Sequence, residues 1–296
     1  MRPTKSLCGA AHTARQAPWL VMMALSMLVL PACAPAPAPQ AVLPTATFPG
    51  APTPTATASP TPDPATQLPG WSLVWQDEFN GASLDTSKWN VASDAPGGYQ
   101  NCCLNNNLNA WVASDVSLTN GILRLTTRRQ SFQGKVYTSG AVTTQDRFDF
   151  LYGRIDIRAR LPKGNGIWPA FWLLPSKTVL VDNLSSYEVD VMEALGQDPH
   201  TDYMVHWWGA HHEYCRFTGP DFSAGYHVFS FIWSATAISW LIDGKVRCKF
   251  TSEIPNAPMY LILNDRIGGS WPVPPDTSTV LPQYTDIDYV RVYTPA

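Results

Sequence analysis

Three carboxylates fall within six residues at Glu188-Val189-Asp190-Val191-Met192-Glu193, in a run that otherwise has the apolar character of a buried β-strand. Removing acids from water is costly, so their density there demands a chemical or structural use. Side chains alternate along a strand, which puts Glu188 and Asp190 on one face. Glu193 lies five positions past Glu188 and falls on the other face by strict alternation. One β-bulge residue brings it back. Two glutamates facing a cleft, with an aspartate between them, can cleave a glycosidic bond with retention. One attacks the anomeric carbon and the other protonates the leaving oxygen, the two groups standing ~5–5.5 Å apart. The alternative is a structural acid cluster satisfied by arginine or water.

The elements that must position these acids read as strands. Apolar-alternating runs such as Ile122–Thr127, Arg154–Arg160 and Ala237–Ile242 are separated by Asn120-Gly121, Pro162–Gly166 and Asp243-Gly244. Asp243-Gly244 between two β-rich runs is a hairpin signal. No long stretch carries a 3.6 period and no strands alternate with helical segments, which predicts an all-β sandwich or jelly roll. From about Gly70 to Ala296 the chain has the length of a single such domain.

The first residues read differently. Arg2, Lys5 and Arg15 precede an apolar run from Trp19 to Leu30, the pattern of an export signal too short to span a bilayer. Leu30-Pro31-Ala32-Cys33 resembles a bacterial lipobox, making Cys33 the expected lipidation site, with unlipidated cleavage near Ala34 or Ala36 as the alternative. Residues 34–69 are rich in Pro, Ala and Thr and cannot bury enough surface to fold; they form a tether. The product is expected to be exported, as a cell-surface or periplasm-facing lipoprotein or as a secreted protein. The membrane is a partner only through that lipid. Formal charge is 20 − 23 = −3, and 17 − 23 = −6 once residues 1–33 are removed. Such a balance offers nucleic acid no electrostatic footprint. Four cysteines remain, Cys102, Cys103, Cys215 and Cys248. Export permits disulfides, and four cysteines allow three pairings, of which the vicinal one is geometrically poor.

Several tryptophans sit in polar or Gly-rich surroundings, notably Trp111, Trp168, Trp207, Trp208 and Trp271. Each is a core or a sugar-stacking candidate. The His211-His212-Glu213 run looks metal-like but lacks a third-ligand pattern, and is expected to be a solvated loop.

The catalytic run, with Tyr152-Gly153-Arg154, Leu161 to Pro175, Tyr226 to Trp233, Pro258 to Asn264 and Asp288 to Tyr293, resembles glycoside hydrolase family 16. This is the laminarinase-like group, in its bulged Glu-x-Asp-x-x-Glu form. The resemblance implies a concanavalin A-like β-sandwich jelly roll. It also implies a retaining endo-β-glycosidase acting on β-1,3- or β-1,3-1,4-glucan by double displacement. Glu188 would be the nucleophile, Glu193 the acid/base and Asp190 their coupled neighbour. Trp168, Trp172, His206, Asn107, Trp111 and Trp271 would contact a β-linked polysaccharide. No cofactor is implied for catalysis. A structural Ca²⁺ would be held near Glu78, Gly121 and Asp288, oxygen ligation suiting that ion; the alternative is that Asp288 pairs with an arginine. The run Asn105 to Trp111 has Asn where relatives carry an acid, and Ser270 to Pro275 departs from a Gly-rich loop. These differences keep open a galactan-active enzyme, a transglycosylase or a non-catalytic glycan-binding module.

Overall fold

The computed structural model describes residues 67–95, 107–176, 187–208 and 211–296. Cys33, Cys102, Cys103 and the leader and tether up to residue 66 lie outside the described residues. The alternating runs become antiparallel strands in two facing sheets, as their pattern predicts.

The first sheet is ordered β15 (Lys245–Phe250), β14 (Ile238–Ile242), β13 (His227–Trp233), β8 (Gly153–Arg160), β17 (Gln283–Pro295), β5 (Ile122–Thr127) and β4 (Val116–Thr119). β1 (Trp71–Asp77) also pairs with β17. The second sheet is ordered β12 (His211–Thr218), β11 (Asp198–Trp208), β10 (Tyr187–Leu195), β9 (Ile167–Pro175), β16 (Met259–Ile267), β7 (Ala141–Thr143) and β2 (Asn90–Val91). A short parallel pair, β3 (Asn109–Trp111) and β6 (Tyr137–Ser139), lies apart from them. The acids sit on β10, near the middle of the second sheet.

The predicted turn at Asp243-Gly244 joins Ile242 to its partner Lys245 with both turn residues at positive φ, 51° and 74°. That is the backbone a two-residue hairpin needs to match strand twist. Between the sheets, Leu123, Leu125, Ile155, Ile157, Phe229 and Phe231 meet Phe171, Leu173, Val189, Met192, Leu261 and Leu263, all fully buried. Alternation then turns the other side of β9, β10 and β16 away from this core.

Cys215 on β12 bonds Cys248 on β15, across a Cα–Cα distance of 5.9 Å. These are edge strands of different sheets, so the bond closes the sandwich along one side. It rules out a bond from either to Cys102 or Cys103, the cross-pairings left once the vicinal bond is set aside, and so corrects that expectation.

Candidate active site

The register of β10 contains the bulge. Against β11, Asp190 faces Val205 and Glu193 faces Tyr203, three steps on one strand for two on the other. Against β9, Asp190 faces Trp172 while Met192 faces Phe171, two steps for one. Consecutive residues Val191 and Met192 both enter the core, alongside Val189 and Ala194. Glu188, Asp190 and Glu193 therefore all project from the opposite face, at 5%, 1% and 1% exposure.

A bulge interrupts the ladder and leaves main-chain groups in need of partners. Side chains supply them. Trp240, from the facing sheet, donates its Nε1–H to the Asp190 carbonyl at 2.9 Å. Asp202 Oδ1 accepts from the Glu193 N–H at 3.2 Å. Asp202 is fully buried, and burial drives its carboxyl well above the usual carboxylate range, the nearby Glu193 charge adding to the effect. Burial thus favours the protonated form of the group behind Glu193.

Indoles fix the acid side chains. Trp168 donates Nε1–H to Glu193 Oε1 at 3.0 Å, and Trp207 donates to Asp190 Oδ2 at 3.3 Å. Trp207 lies opposite Glu188 in the β10–β11 register. Trp271 packs edge-on against Trp168 and Tyr203, with centroids 5.3 and 4.9 Å away. Trp172 donates to Asn264 Oδ1 at 2.7 Å. Trp111 donates to the Asp265 carbonyl at 3.1 Å, its ring 5.7 Å from the Arg266 guanidinium. The structure so gathers Trp168, Trp172, Trp111 and Trp271 on or beside the acid-bearing face, the first three packed in at 1%, 2% and 3% exposure.

Two expected contacts fall elsewhere. His206 pairs with core-facing Val189, so alternation sends its ring to the inner side of the sheet. It is wholly buried, its ring near those of Tyr187 and Trp208, and Nε2–H donates to the Glu253 carbonyl. Burial pushes it below the ordinary imidazole range, so it stays neutral. His206 is a core residue, and its neighbour Trp207 is the one that reaches Asp190. Asn107 is 4% exposed, and its Nδ2 donates to the Asn109 carbonyl and Oδ1, binding it into its own loop. The His211-His212-Glu213 run is also corrected: it is strand β12, not a loop, and His212 stacks on Trp207 at 4.2 Å. Trp207 was only one of several core or sugar-stacking candidates, and Tyr203 and Asp202 escaped prediction, because the placement of all three depends on the register across the bulge.

The residues of the expected cation site lie along the middle of β17. There β1 brings Asp77 against Val290 and β5 brings Leu123 against Ile287. Their side chains already have partners: Glu78 takes both oxygens' bonds from Arg291, at 2.7 and 2.8 Å, and Asp288 accepts from Arg158. The Asp288–Arg158 pair is the arginine alternative; a hard cation here would rest on main-chain oxygens of Glu78 and Gly121 and share the Asp288 carboxylate with Arg158.

An antiparallel sandwich with paired glutamates on a bulged strand defines a class of glycan-cleaving enzymes. The profile of Glycosyl hydrolases family 16 matches residues 105–290, and the chain belongs to this family. It is 35% identical over 268 residues to a glucan endo-1,3-beta-glucosidase A1 of Niallia circulans, covering 78% of this chain and 39% of that longer protein. To a beta-glucanase of Rhodothermus marinus it is 32% identical, over 78% of this chain and 88% of that one. The laminarinase catalytic domain of Thermotoga maritima MSB8 superposes with a TM-score of 0.68 at 32% identity, over 76% of this chain and 99% of that domain.

Proposed function

We propose that this glycoside hydrolase is a retaining endo-β-glucanase that cleaves β-1,3- or mixed β-1,3-1,4-glucan. The observation that carries this reading is the bulge, which sets Glu188, Asp190 and Glu193 on one face away from the core. The names borne by the relatives supply the polymer class.

Glu188 attacks the anomeric carbon as the bond to the leaving oxygen breaks, and that oxygen takes the proton of Glu193. Trp168 donates to Glu193 Oε1, so the transferable proton sits on Oε2. Water then attacks the glycosyl ester, gives its proton to Glu193, and frees Glu188 with the starting configuration restored. Asp190, fixed by Trp207, holds the position between the two glutamates.

A reducing-sugar panel of laminarin, lichenan, galactan, agarose and carrageenan tests the substrate. Laminarin or lichenan should be degraded fastest; faster loss of a galactan overturns the glucan reading. Glu188→Gln should fold and lose hydrolysis by several orders of magnitude, roughly 10⁴-fold or more. Near-wild-type turnover of that variant would remove Glu188 from the mechanism.

The Ca²⁺ reading stands as part of the proposal. Chelation should lower the melting temperature, and an unchanged value with EGTA removes the ion. Export and lipidation at Cys33 are likewise proposed, and mass spectrometry of the mature N-terminus decides them.

A further inference from the structure

Arg266 is a buried cation with no carboxylate partner among the described residues. It is 3% exposed, and its guanidinium lies 5.1, 5.6 and 5.7 Å from the rings of Trp168, Trp172 and Trp111. Among the described residues no carboxylate pairs with it, and its Nε is enclosed with no acceptor. The stretch 96–106, just before Asn107, holds no acid. Indole faces offset part of the cost of such burial by cation–π attraction, but they leave the charge in place.

A second donor lies two residues away on the same strand face. Asn264 is fully buried; its Oδ1 accepts from Trp172, so the amide is oriented, and its Nδ2 has no acceptor among the described residues. Both residues belong to the acid-bearing face. Asn264 faces Ala170, which faces Glu193, and Arg266 faces Trp168, which donates to Glu193. Two strand spacings put Asn264 about 10 Å from the Glu193 backbone.

We propose that Arg266 and Asn264 form a subsite for an oxyanion carried by the glycan, a carboxylate or a sulfate half-ester on a sugar near the cleavage point. This rests on the glucanase reading for its polymer and adds the substituent. A hydroxyl would supply an acceptor only. An oxyanion supplies acceptors and the missing counter-charge together, two of its oxygens matching the paired hydrogen bonds of the guanidinium fork. The enclosed setting strengthens that attraction relative to water.

The test compares laminarin with partially C6-carboxylated and partially sulfated laminarin, using wild type, Arg266→Met and Arg266→Lys. Wild type should show kcat/KM at least about tenfold higher on one anionic polymer than on the neutral one, with the advantage shrinking as salt rises. The better derivative identifies the oxyanion. Arg266→Met should bring the ratio to about one, and Arg266→Lys should keep part of it. Methionine fills similar space without charge, and circular dichroism checks its folding; if it fails to fold, the wild-type ratio and the lysine variant decide. Wild type preferring neutral laminarin, or a ratio unmoved by Arg266→Met, overturns the subsite while leaving the glucanase reading intact. If no polymer is cleaved, the glucanase reading falls. Calorimetry with carboxylated and sulfated laminari-oligosaccharides then judges the subsite: binding lost in Arg266→Met upholds it, and no wild-type binding overturns it.

Discussion

Asp202 shows how a single residue can shape a reaction it does not perform. Burial raises its carboxyl and favours the protonated form, and it accepts from the Glu193 main chain, so it steadies the bulge while its burial disfavours a further negative charge beside the acid/base. Asp202→Asn keeps a carbonyl acceptor and should retain kcat within a few-fold, with an unaltered pH–rate profile. Asp202→Leu leaves the N–H of Glu193 buried without an acceptor and should lower kcat about tenfold at nearly constant KM. A shifted pH profile in Asp202→Asn would mean that the group is ionised in the native enzyme.

At the scale of the strand, β10 does its work through one extra residue. Deleting Val191 leaves Glu-Val-Asp-Met-Glu, in which strict alternation keeps all three acids on one face. The deletion should give a folded, weakened enzyme, since one core side chain is lost. Inserting an alanine between Met192 and Glu193 turns Glu193 toward the core, where an unpaired carboxylate is strongly disfavoured. That variant should have no measurable turnover. Kinetics beside circular dichroism compare the two, and equal loss of activity in both would contradict the face-parity argument.

The whole sandwich depends on long-range closure. The Cys215–Cys248 bond joins the edge strands of its two sheets across a separation of 33 residues, a loop whose closure is worth about 4 kcal/mol in the chain-entropy view. The interior also carries a pH dependence. Asp265 is fully buried beneath Thr127 and Thr285, and burial raises its carboxyl to about 7. The native state therefore holds a proton that the unfolded chain releases above its ordinary value of 3.8. Stability from this group falls as pH rises between those values and levels off above about 7. Wild type should melt at a higher temperature at pH 5 than at pH 7.5, and Asp265→Asn should flatten that slope. An equal slope in both proteins would place the titration elsewhere.

The sequence by itself determined the sandwich class, the Asp243-Gly244 hairpin, the acid triplet and the bulge between Asp190 and Glu193. Each follows from local rules: period-2 alternation, the positive φ of a tight turn, and the parity of residues between acids. Trp168 and Trp172 were legible through the family resemblance, and the register of β9 against β10 sets them in phase with the acids. His206 was misplaced because its facing depends on which β11 residue meets which β10 residue, and neighbours one position apart have opposite fates. Tertiary structure alone decided that Trp207 reaches Asp190 and that Cys215 meets Cys248. It alone placed Asp202 behind the acid and set Arg266 among three indoles with no carboxylate partner among the described residues. These are contacts between residues distant in the chain, fixed by strand order and register, which no local pattern encodes.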